Sequence, residues 1–391
     1  MENNHGEELF NELCGILEKD KRINEVDHVD PEIFEMYKSE IPEEEVPEIG
    51  KKNRFLNIEH KLAISLEIIP DLMKYSLEIM RKYRTWIISY EKYDITEANT
   101  TLYVKKTCSS EKTVQFFYKN ELISQSEEDE PILKIDLPRF LQIRNAVKII
   151  LLLNGENYTA INVLKELFFI RLTLLQNSGS PSSLETMKLI ITEIEFISLV
   201  NLKFRRSSVS WHYRKLLFDL YFNSDLDQIH YSIDTSQQFA IQEENTCHSL
   251  AQYKQINKFI QNELFFITKA IIRQDDNYYA WLYRNFILKH LPFINEESQN
   301  QIIQLEFNIL SYLRSTFYKT SSVYFYFSKI ILLKINKTLG KDSSKLENIS
   351  ECKQFLQEEL GKVGKMIALF GTNENLQRFN DFLVEKIKEL V

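Results

Sequence analysis

A short segment that recurs along the chain constrains its fold more than any other feature. Its fullest copy is Asn277–Leu288, reading NYYAWLYRNFIL, and it follows an apolar helical stretch. The other copies begin at Asn157, Ser207 and Ser321. In register, a large position reads Ile161, Trp211, Trp281 and Phe325, and the position three residues later reads Leu164, Arg214, Arg284 and Ser328. Repetition of this kind predicts a fold built by stacking one supersecondary unit.

Each copy joins a long helix, here called helix A, to a second helix, called helix B. Apolar residues recur at steps of three and four in helix A, which places them on one helical face. In the second repeat they are Met187, Ile190, Ile191, Ile194 and Ile197. Helix B starts at an Asn or a Ser, whose side chain accepts a hydrogen bond from a free first-turn amide. One helix pair cannot bury such a stripe, so we expect an all-α fold, an α-α superhelix of stacked helical hairpins.

The chain before the repeats, residues 1–136, lacks the recurring segment. Residues 1–55 are charge-rich and contain three prolines, so we expect an acidic N-terminal arm with one short helix. Whether this arm is a solvated tail or docks on a partner stays open. Residues 56–136 favour N-terminal helices with a small β-hairpin insert rich in β-branched and aromatic residues. The predicted helices occupy 58–90, and the hairpin strands occupy 100–104 and 113–118.

The repeats themselves are placed at residues 137–340. Within them, the polar stretch 223–246 lacks periodicity and is predicted to be a surface loop. Residues 341–391 favour two capping helices, at 350–369 and 373–390, with a break at Gly371. A terminal pair of this kind covers the last open face of a repeat array.

Composition narrows the class of protein. Gly 9 and Pro 8 are few for 391 residues, and a scarcity of helix breakers favours long helices. A net charge of −8 argues against a general nucleic-acid binder, which presents a basic face. The four cysteines are far apart, with no histidine at ligand spacing, so no local zinc site is predicted. No apolar run approaches the roughly 18 residues of a membrane span, and we expect a cytoplasmic protein.

The recurring segments resemble the repeat of the protein prenyltransferase alpha subunits, in which Asn-Tyr opens a helix and a Trp and an Arg follow at fixed spacing. Asn277–Arg284 is a nearly complete copy, and Ser210–Lys215 is a second good one. The copy at Asn157 keeps the opening residues only, and 321–331 match in pattern alone. The likeness covers about residues 137–335. The degenerate copies and the predicted insert make the chain most similar to the divergent alpha-subunit-repeat proteins of that family.

The resemblance implies a function as the alpha, non-zinc subunit of a heterodimeric protein geranylgeranyltransferase. The implied partner is the beta subunit of Rab geranylgeranyltransferase, which carries the zinc and the pocket for geranylgeranyl diphosphate. The implied acceptor is a C-terminal cysteine of a protein such as a SNARE that already bears one prenyl group. Two lipids anchor a protein stably where one binds marginally and reversibly, which gives such an enzyme a physical purpose.

The resemblance also points to particular side chains. Farnesyltransferase alpha chains carry a Lys directly before the Asn-Tyr of the third repeat, where it helps to stabilise the leaving diphosphate. This sequence has Asp276 there, and a carboxylate repels a diphosphate. Tyr278 keeps the family's tyrosine and can still donate a hydrogen bond. In the second repeat the same offset from Trp211 holds Arg206, with Arg205 beside it, and we predict that both supply part of the missing positive charge.

Each of these residues also has a structural interpretation. Trp211 and Trp281 fit the seam between successive helix pairs, and Arg214 and Arg284 fit partly buried ion pairs to a neighbouring helix. Tyr158, like Tyr278, can be structural or can line a site. The rival function is a non-catalytic helical-repeat adaptor that binds a prenyltransferase beta subunit or another protein. An escort-like chaperone for a prenyltransferase is a third possibility.

Overall fold

The computed structural model describes residues 3–20, 22–40, 54–58, 60–87, 94–98, 101–105, 133–177, 183–222, 250–340 and 346–390. These residues form an all-α helical-repeat fold accompanied by two small sheets. The chain divides into two compact units, residues 1–246 and 247–391. The predicted strand at 113–118 and the predicted loop at 223–246 lie outside the described residues.

The first unit begins with helices and strands that alternate along the chain. Its helices are α1 (Asn3–Lys19), α2 (Pro31–Glu40), α3 (Ile69–Ile87), α4 (Leu137–Leu153), α5 (Tyr158–Asn177), α6 (Ser183–Lys203) and α7 (Ser208–Phe222). Its strands are β1 (Glu25–Val29), β2 (Phe55–Ile58), β3 (Lys61–Ser65), β4 (Asp94–Ala98), β5 (Thr101–Lys105) and β6 (Leu133–Asp136).

The N-terminal region is a packed subdomain, which corrects the prediction of an extended acidic arm. Strand β3 lies between β1, to which it is parallel, and β2, to which it is antiparallel. Helix α1 packs on α3 and buries an apolar stripe at steps of three and four, formed by Leu9, Leu13 and Ile16.

The prediction of two helices at 58–90 is wrong for the first of them, because strand β3 lies there instead. Leu62 and Ile64 are buried at a spacing of two residues, which is the periodicity of a strand.

The predicted hairpin insert is a three-stranded antiparallel sheet in the described residues. Strand β5 coincides with the first predicted hairpin strand. Its partners are β4 on one side and β6 on the other, so the strand order is β4-β5-β6. The sequence reasoning missed β4 and β6 because Asp94–Ala98 and Leu133–Asp136 lie outside the aromatic-rich stretch.

The remaining described residues of the first unit form two helical hairpins. Helices α4 and α5 form one A and B pair, and α6 and α7 form the next. Much of their facing surface is apolar, and Ile150, Leu167 and Phe218 are fully buried there. Gly155 follows α4 in a place where no side chain fits, because a Cβ would overlap the Phe204 ring at the end of α6. The first two A and B turns therefore pack directly against each other.

The second unit is a run of three helical hairpins. Its helices are α8 (Leu250–Arg273), α9 (Tyr278–Leu288), α10 (Glu296–Thr316), α11 (Ser321–Leu339), α12 (Leu346–Phe370) and α13 (Glu374–Glu389). The last pair, α12 and α13, packs on α11 through Leu356, Val363, Phe379 and their neighbours. Two helices were expected at the C-terminus, and Gly371, with φ at 78°, ends the first of them.

Candidate functional site

Each helix A turns into its helix B through the same backbone geometry. In four turns the amide of the N-cap residue donates to the carbonyl three residues earlier, at 3.0–3.2 Å. Asn157, Ser207 and Asn277 then accept a side-chain hydrogen bond from the amide three residues later, at 3.0, 3.4 and 3.1 Å. In the fourth turn Thr320, not Ser321, is the N-cap residue, and its side chain makes no cap hydrogen bond. The recurrent turn fixes a common register for the repeats.

This register corrects the alignment of the fourth repeat. The indole nitrogens of Trp211 and Trp281 each donate to the carbonyl six residues earlier, at 3.0 and 2.8 Å. The hydroxyl of Tyr324 does the same, at 2.8 Å from the Tyr318 carbonyl oxygen. Tyr324 is 4% exposed, whereas the residue chosen from sequence, Phe325, is 66% exposed. Tyr324 is therefore the equivalent of the tryptophans, and Phe327 replaces Ser328 at the arginine position.

A buried glutamate on helix A organises the polar interior of the repeats. Tyr213 donates to Glu193 at 3.4 Å and Tyr283 donates to Glu263 at 2.7 Å, in both cases across twenty residues of sequence. The adjacent arginine of helix B also reaches back to helix A. Arg214 donates to the Ser198 hydroxyl at 2.7 Å, and Arg284 donates to the Thr268 hydroxyl at 3.0 Å. The same pair of bonds thus recurs in two repeats.

The buried glutamates also meet cations. Arg284 binds the Glu306 carboxylate through two hydrogen bonds, of 2.9 and 2.6 Å, and both side chains are fully buried. Where the arginine position of helix B is apolar, a helix A supplies the cation instead. Arg144 of α4 lies 2.7 Å from Glu193, and Arg314 of α10 lies 3.0 Å from Glu359. An uncompensated buried carboxylate is costly, so an arginine of a helix A takes the place of the missing arginine of helix B.

Two tyrosines at the start of helix B face solvent. Tyr278, the first residue of α9, is 67% exposed, and Tyr158, the first residue of α5, is 62% exposed. A tyrosine whose only purpose is packing buries its ring. Both follow an asparagine cap, so the turn holds their backbone in one orientation while the phenol stays accessible. The structure presents these two hydroxyls in equivalent places, one in each unit.

In the second unit the three A and B turns contact one another along one side, here called the turn edge (residues 272–282, 317–321 and 369–375). Thr320 donates to the Asp275 carboxylate, which joins the first and second turns. The rings of Tyr318 and Phe370 stack with centroids 4.4 Å apart, which joins the second and third. The turn edge exposes large apolar side chains, namely Ile272, Tyr278, Leu282, Leu369 and Phe370.

The predicted charged residues lie in two different A and B turns. Asp276 is exposed directly before Asn277, in the second unit. Arg205 and Arg206 lie in the turn between α6 and α7, in the first unit, where Arg206 is exposed and Arg205 is half-buried. The Arg205 side chain donates to the Leu202 carbonyl at 3.4 Å, and its own carbonyl accepts from Trp211. A catalytic role for Tyr278, Arg205 or Arg206 stays a prediction.

The geometry of the third repeat agrees with a comparison to known protein families. Residues 260–291 match the protein prenyltransferase alpha subunit repeat. The match begins in α8, includes the Asn277 turn and all of α9, and ends at Leu291. No curated protein matches the chain significantly. The match supports the prenyltransferase alpha-subunit family for this chain, on the repeat that carries Tyr278, Trp281 and Arg284.

Sequence reasoning missed the buried glutamates and their tyrosine partners. Each of these glutamates lies twenty residues before a Tyr or Phe of helix B, and they are Glu193, Glu263, Glu306 and Glu359. This signal becomes visible only once the turns are aligned.

Among the described residues no three His, Cys, Asp or Glu side chains are grouped as a metal site. Within that same part of the chain, no helix has the length and apolar character needed to cross a bilayer.

Proposed function

We propose that this chain is the alpha, non-zinc subunit of a heterodimeric protein geranylgeranyltransferase. In this proposal it pairs with the beta subunit of Rab geranylgeranyltransferase, which supplies the zinc and the pocket for geranylgeranyl diphosphate. The acceptor is a C-terminal cysteine of a protein such as a singly prenylated SNARE. A zinc-bound thiol is deprotonated and therefore nucleophilic at neutral pH. The reaction joins that sulfur to the isoprenoid and releases diphosphate, and it takes place in the cytoplasm.

The observation that carries the proposal is the exposed tyrosine at the start of helix B in the repeat that matches the family model. Tyr278 presents its hydroxyl to solvent from a capped helix start. A hydroxyl fixed in this way can donate to an oxygen on which negative charge develops, such as one of the departing diphosphate. The turn geometry that recurs between the repeats supports a positioning role, because it fixes where that donor points relative to a bound partner.

The turn edge of the second unit supports a protein partner at the same place. Ile272, Leu369 and Phe370 expose apolar surface beside Tyr278 along contacting turns. Exposed apolar side chains that lie together often mark a surface at which another protein binds, whereas scattered ones do not. Aromatic residues are enriched in the cores of protein interfaces, which suits an edge that contains a tyrosine and a phenylalanine.

Within this proposal Arg205 and Arg206 supply positive charge that the third repeat lacks. The reason is electrostatic, since Asp276 occupies the place of the lysine of the farnesyltransferase alpha chains and disfavours a diphosphate. Arg206 is exposed at an equivalent turn and can reach a ligand. We expect Arg206→Ala to weaken diphosphate binding by about tenfold, the cost of one charge-assisted hydrogen bond.

Asp276 also favours a second candidate, a non-catalytic adaptor. An acidic residue beside the exposed Tyr278 is compatible with binding a protein and disfavours a leaving diphosphate. Such an adaptor keeps the partner-binding turn edge and has lost the transfer reaction. The two candidates therefore predict the same complex and differ in turnover.

The test is co-expression of the full chain with the Rab-type beta subunit, followed by light scattering and a transfer assay. We expect a one-to-one complex that transfers geranylgeranyl to a peptide ending in cysteine. Tyr278→Phe should lower turnover by about tenfold or more without dissociating the complex. Tyr312→Phe is the control, because Tyr312 is an exposed tyrosine of α10 that lies outside the turn edge. A stable complex without turnover supports the adaptor, and a chain that never binds the beta subunit contradicts both candidates.

A further inference from the structure

A group of cationic side chains in the first unit carries more positive charge than the carboxylate beside it. Arg144 and Lys148 lie one turn apart on α4, and both approach Oε2 of Glu193, at 2.7 and 3.6 Å. Arg171 of α5 interacts electrostatically with Arg144 and with Glu193. These four residues are called the cation cluster. It contains three cations and one carboxylate, a net charge of +2.

The surroundings of the cluster make this imbalance costly. Glu193 is fully buried, and Arg144 and Lys148 are mostly buried. The Lys148 ammonium lies 4.4 Å from the centre of the Phe196 ring, which replaces water on one side. Burial, together with the repulsion of Arg144 and Arg171, lowers the pKa of Lys148 to about 8 despite the attraction of Glu193. Repulsion between like charges in such a low-dielectric place is strong.

The buried Glu306 shows that a carboxylate of these repeats can be balanced without such an excess. Glu306 is matched by Arg284 through two hydrogen bonds, a neutral pair. The cation cluster therefore does more than neutralise Glu193. Tyr213 donates to Glu193 as well, so the carboxylate already has a hydrogen bond in addition to its bond from Arg144.

The cluster is open to solvent at one end. Arg171 is exposed, and within the described residues it makes neither a hydrogen bond nor an ion pair. A guanidinium carries five N–H donors, and no described residue accepts from those of Arg171. Arg171 is close enough to Arg144 and to Lys148 to repel both electrostatically. Arg171 therefore offers an anion a first contact at the solvent-exposed end of the cluster.

We propose that the cation cluster binds a phosphate group, as free inorganic phosphate or as part of a small phosphate monoester. A tetrahedral dianion brings the net charge of the cluster to zero, which chloride or acetate does not. Guanidinium groups match phosphate oxygens in pairs of parallel hydrogen bonds, and Arg144 and Arg171 offer two of them. Lys148 then acts as a point charge on the inner side. This site is independent of the proposed function, since none of its residues lies in an A and B turn.

The test uses the full chain and inorganic phosphate as the probe. Phosphate binding is measured by titration calorimetry at constant ionic strength, with sodium chloride as the balancing salt. We expect saturable binding of phosphate, comparable binding of sulfate, and none of acetate. Arg171→Gln, at an exposed position that folding tolerates, should weaken binding by roughly tenfold or more, the cost of losing a charge-assisted contact. Arg378→Gln, which changes an exposed arginine of α13, should leave binding unchanged.

A second readout separates binding from a purely structural role of the cluster. Phosphate should raise the midpoint of thermal unfolding of the wild-type chain and of Arg378→Gln, but not that of Arg171→Gln. Equal effects of phosphate and chloride at matched ionic strength contradict the proposal. So does an Arg171→Gln chain that binds phosphate as tightly as the wild type does.

Discussion

The buried ion pair between Arg284 and Glu306 gives the most quantitative prediction for the second unit. Arg284→Met removes two hydrogen bonds to a carboxylate that has no access to solvent. It also removes the hydrogen bond to Thr268 and the guanidinium that lies 5.5 Å from the centre of the Tyr326 ring. Breaking a buried pair by removing one partner costs about 3–5 kcal/mol, because the other charge stays buried. We expect Arg284→Met to lower the free energy of unfolding by that amount.

The double variant Arg284→Met/Glu306→Leu separates the charge effect from loss of packing. Replacing both members by apolar residues of similar volume is often neutral or stabilising, so we expect most of the loss to be recovered. The assay is urea unfolding of the full chain followed by circular dichroism. Arg378→Met is the control, since it breaks an exposed pair with Glu374 that contributes about 0–1 kcal/mol. A single-variant cost as small as that of the control would refute the reasoning.

Three further variants test other parts of the fold in the same unfolding assay. Trp281→Ala should cost about 3–5 kcal/mol, because it empties a buried seam and removes the indole bond to the turn; a loss below about 1 kcal/mol contradicts this packing. Gly155→Ala should destabilise the first unit because its Cβ overlaps the Phe204 side chain. Phe204→Ala removes the two nearest of the overlapping atoms and should relieve part of the effect; an unchanged midpoint in Gly155→Ala contradicts the clash. Lys203→Met should stabilise the chain at pH 7, because the ammonium is buried without a hydrogen-bond partner among the described residues and burial, opposed by Asp27, lowers its pKa to about 7. The gain in the free energy of unfolding is largest below about pH 7 and shrinks as the pH rises toward the usual lysine pKa of 10.5. A gain that stays constant up to pH 10 would contradict this prediction.

The repeats could be predicted from sequence because their signals are local. An Asn or Ser before a Trp four residues later marks the start of α7 and α9, and the apolar stripes mark helix A. In the fourth repeat the same reasoning placed the register one residue too late. Thr320, Ser321 and Ser322 are all capable of capping, and four aromatic residues follow in a row, so the pattern alone cannot fix the register. The hydrogen bond from Tyr324 to the turn decides it.

The N-terminal subdomain could not be predicted because its strands depend on partners far along the chain. Strand β3 pairs with β1 across more than thirty residues, and its short apolar run is also compatible with a helix. The buried glutamates were missed for a related reason. Their partners, such as Arg144 for Glu193 and Arg314 for Glu359, lie on other helices at irregular separations. Only tertiary packing shows which cation balances which carboxylate.

The measurement that tests the proposed function most directly is hydrogen exchange of the full chain with and without the Rab-type beta subunit. A partner that docks on the turn edge should slow exchange of amides in 272–282 and 369–375, which include the exposed Tyr278 and Phe370. Exchange in the middle of α10, at residues 302–310, should stay unchanged. Protection centred on α10, or no protection anywhere, would contradict the proposal that the turn edge receives a prenyltransferase beta subunit.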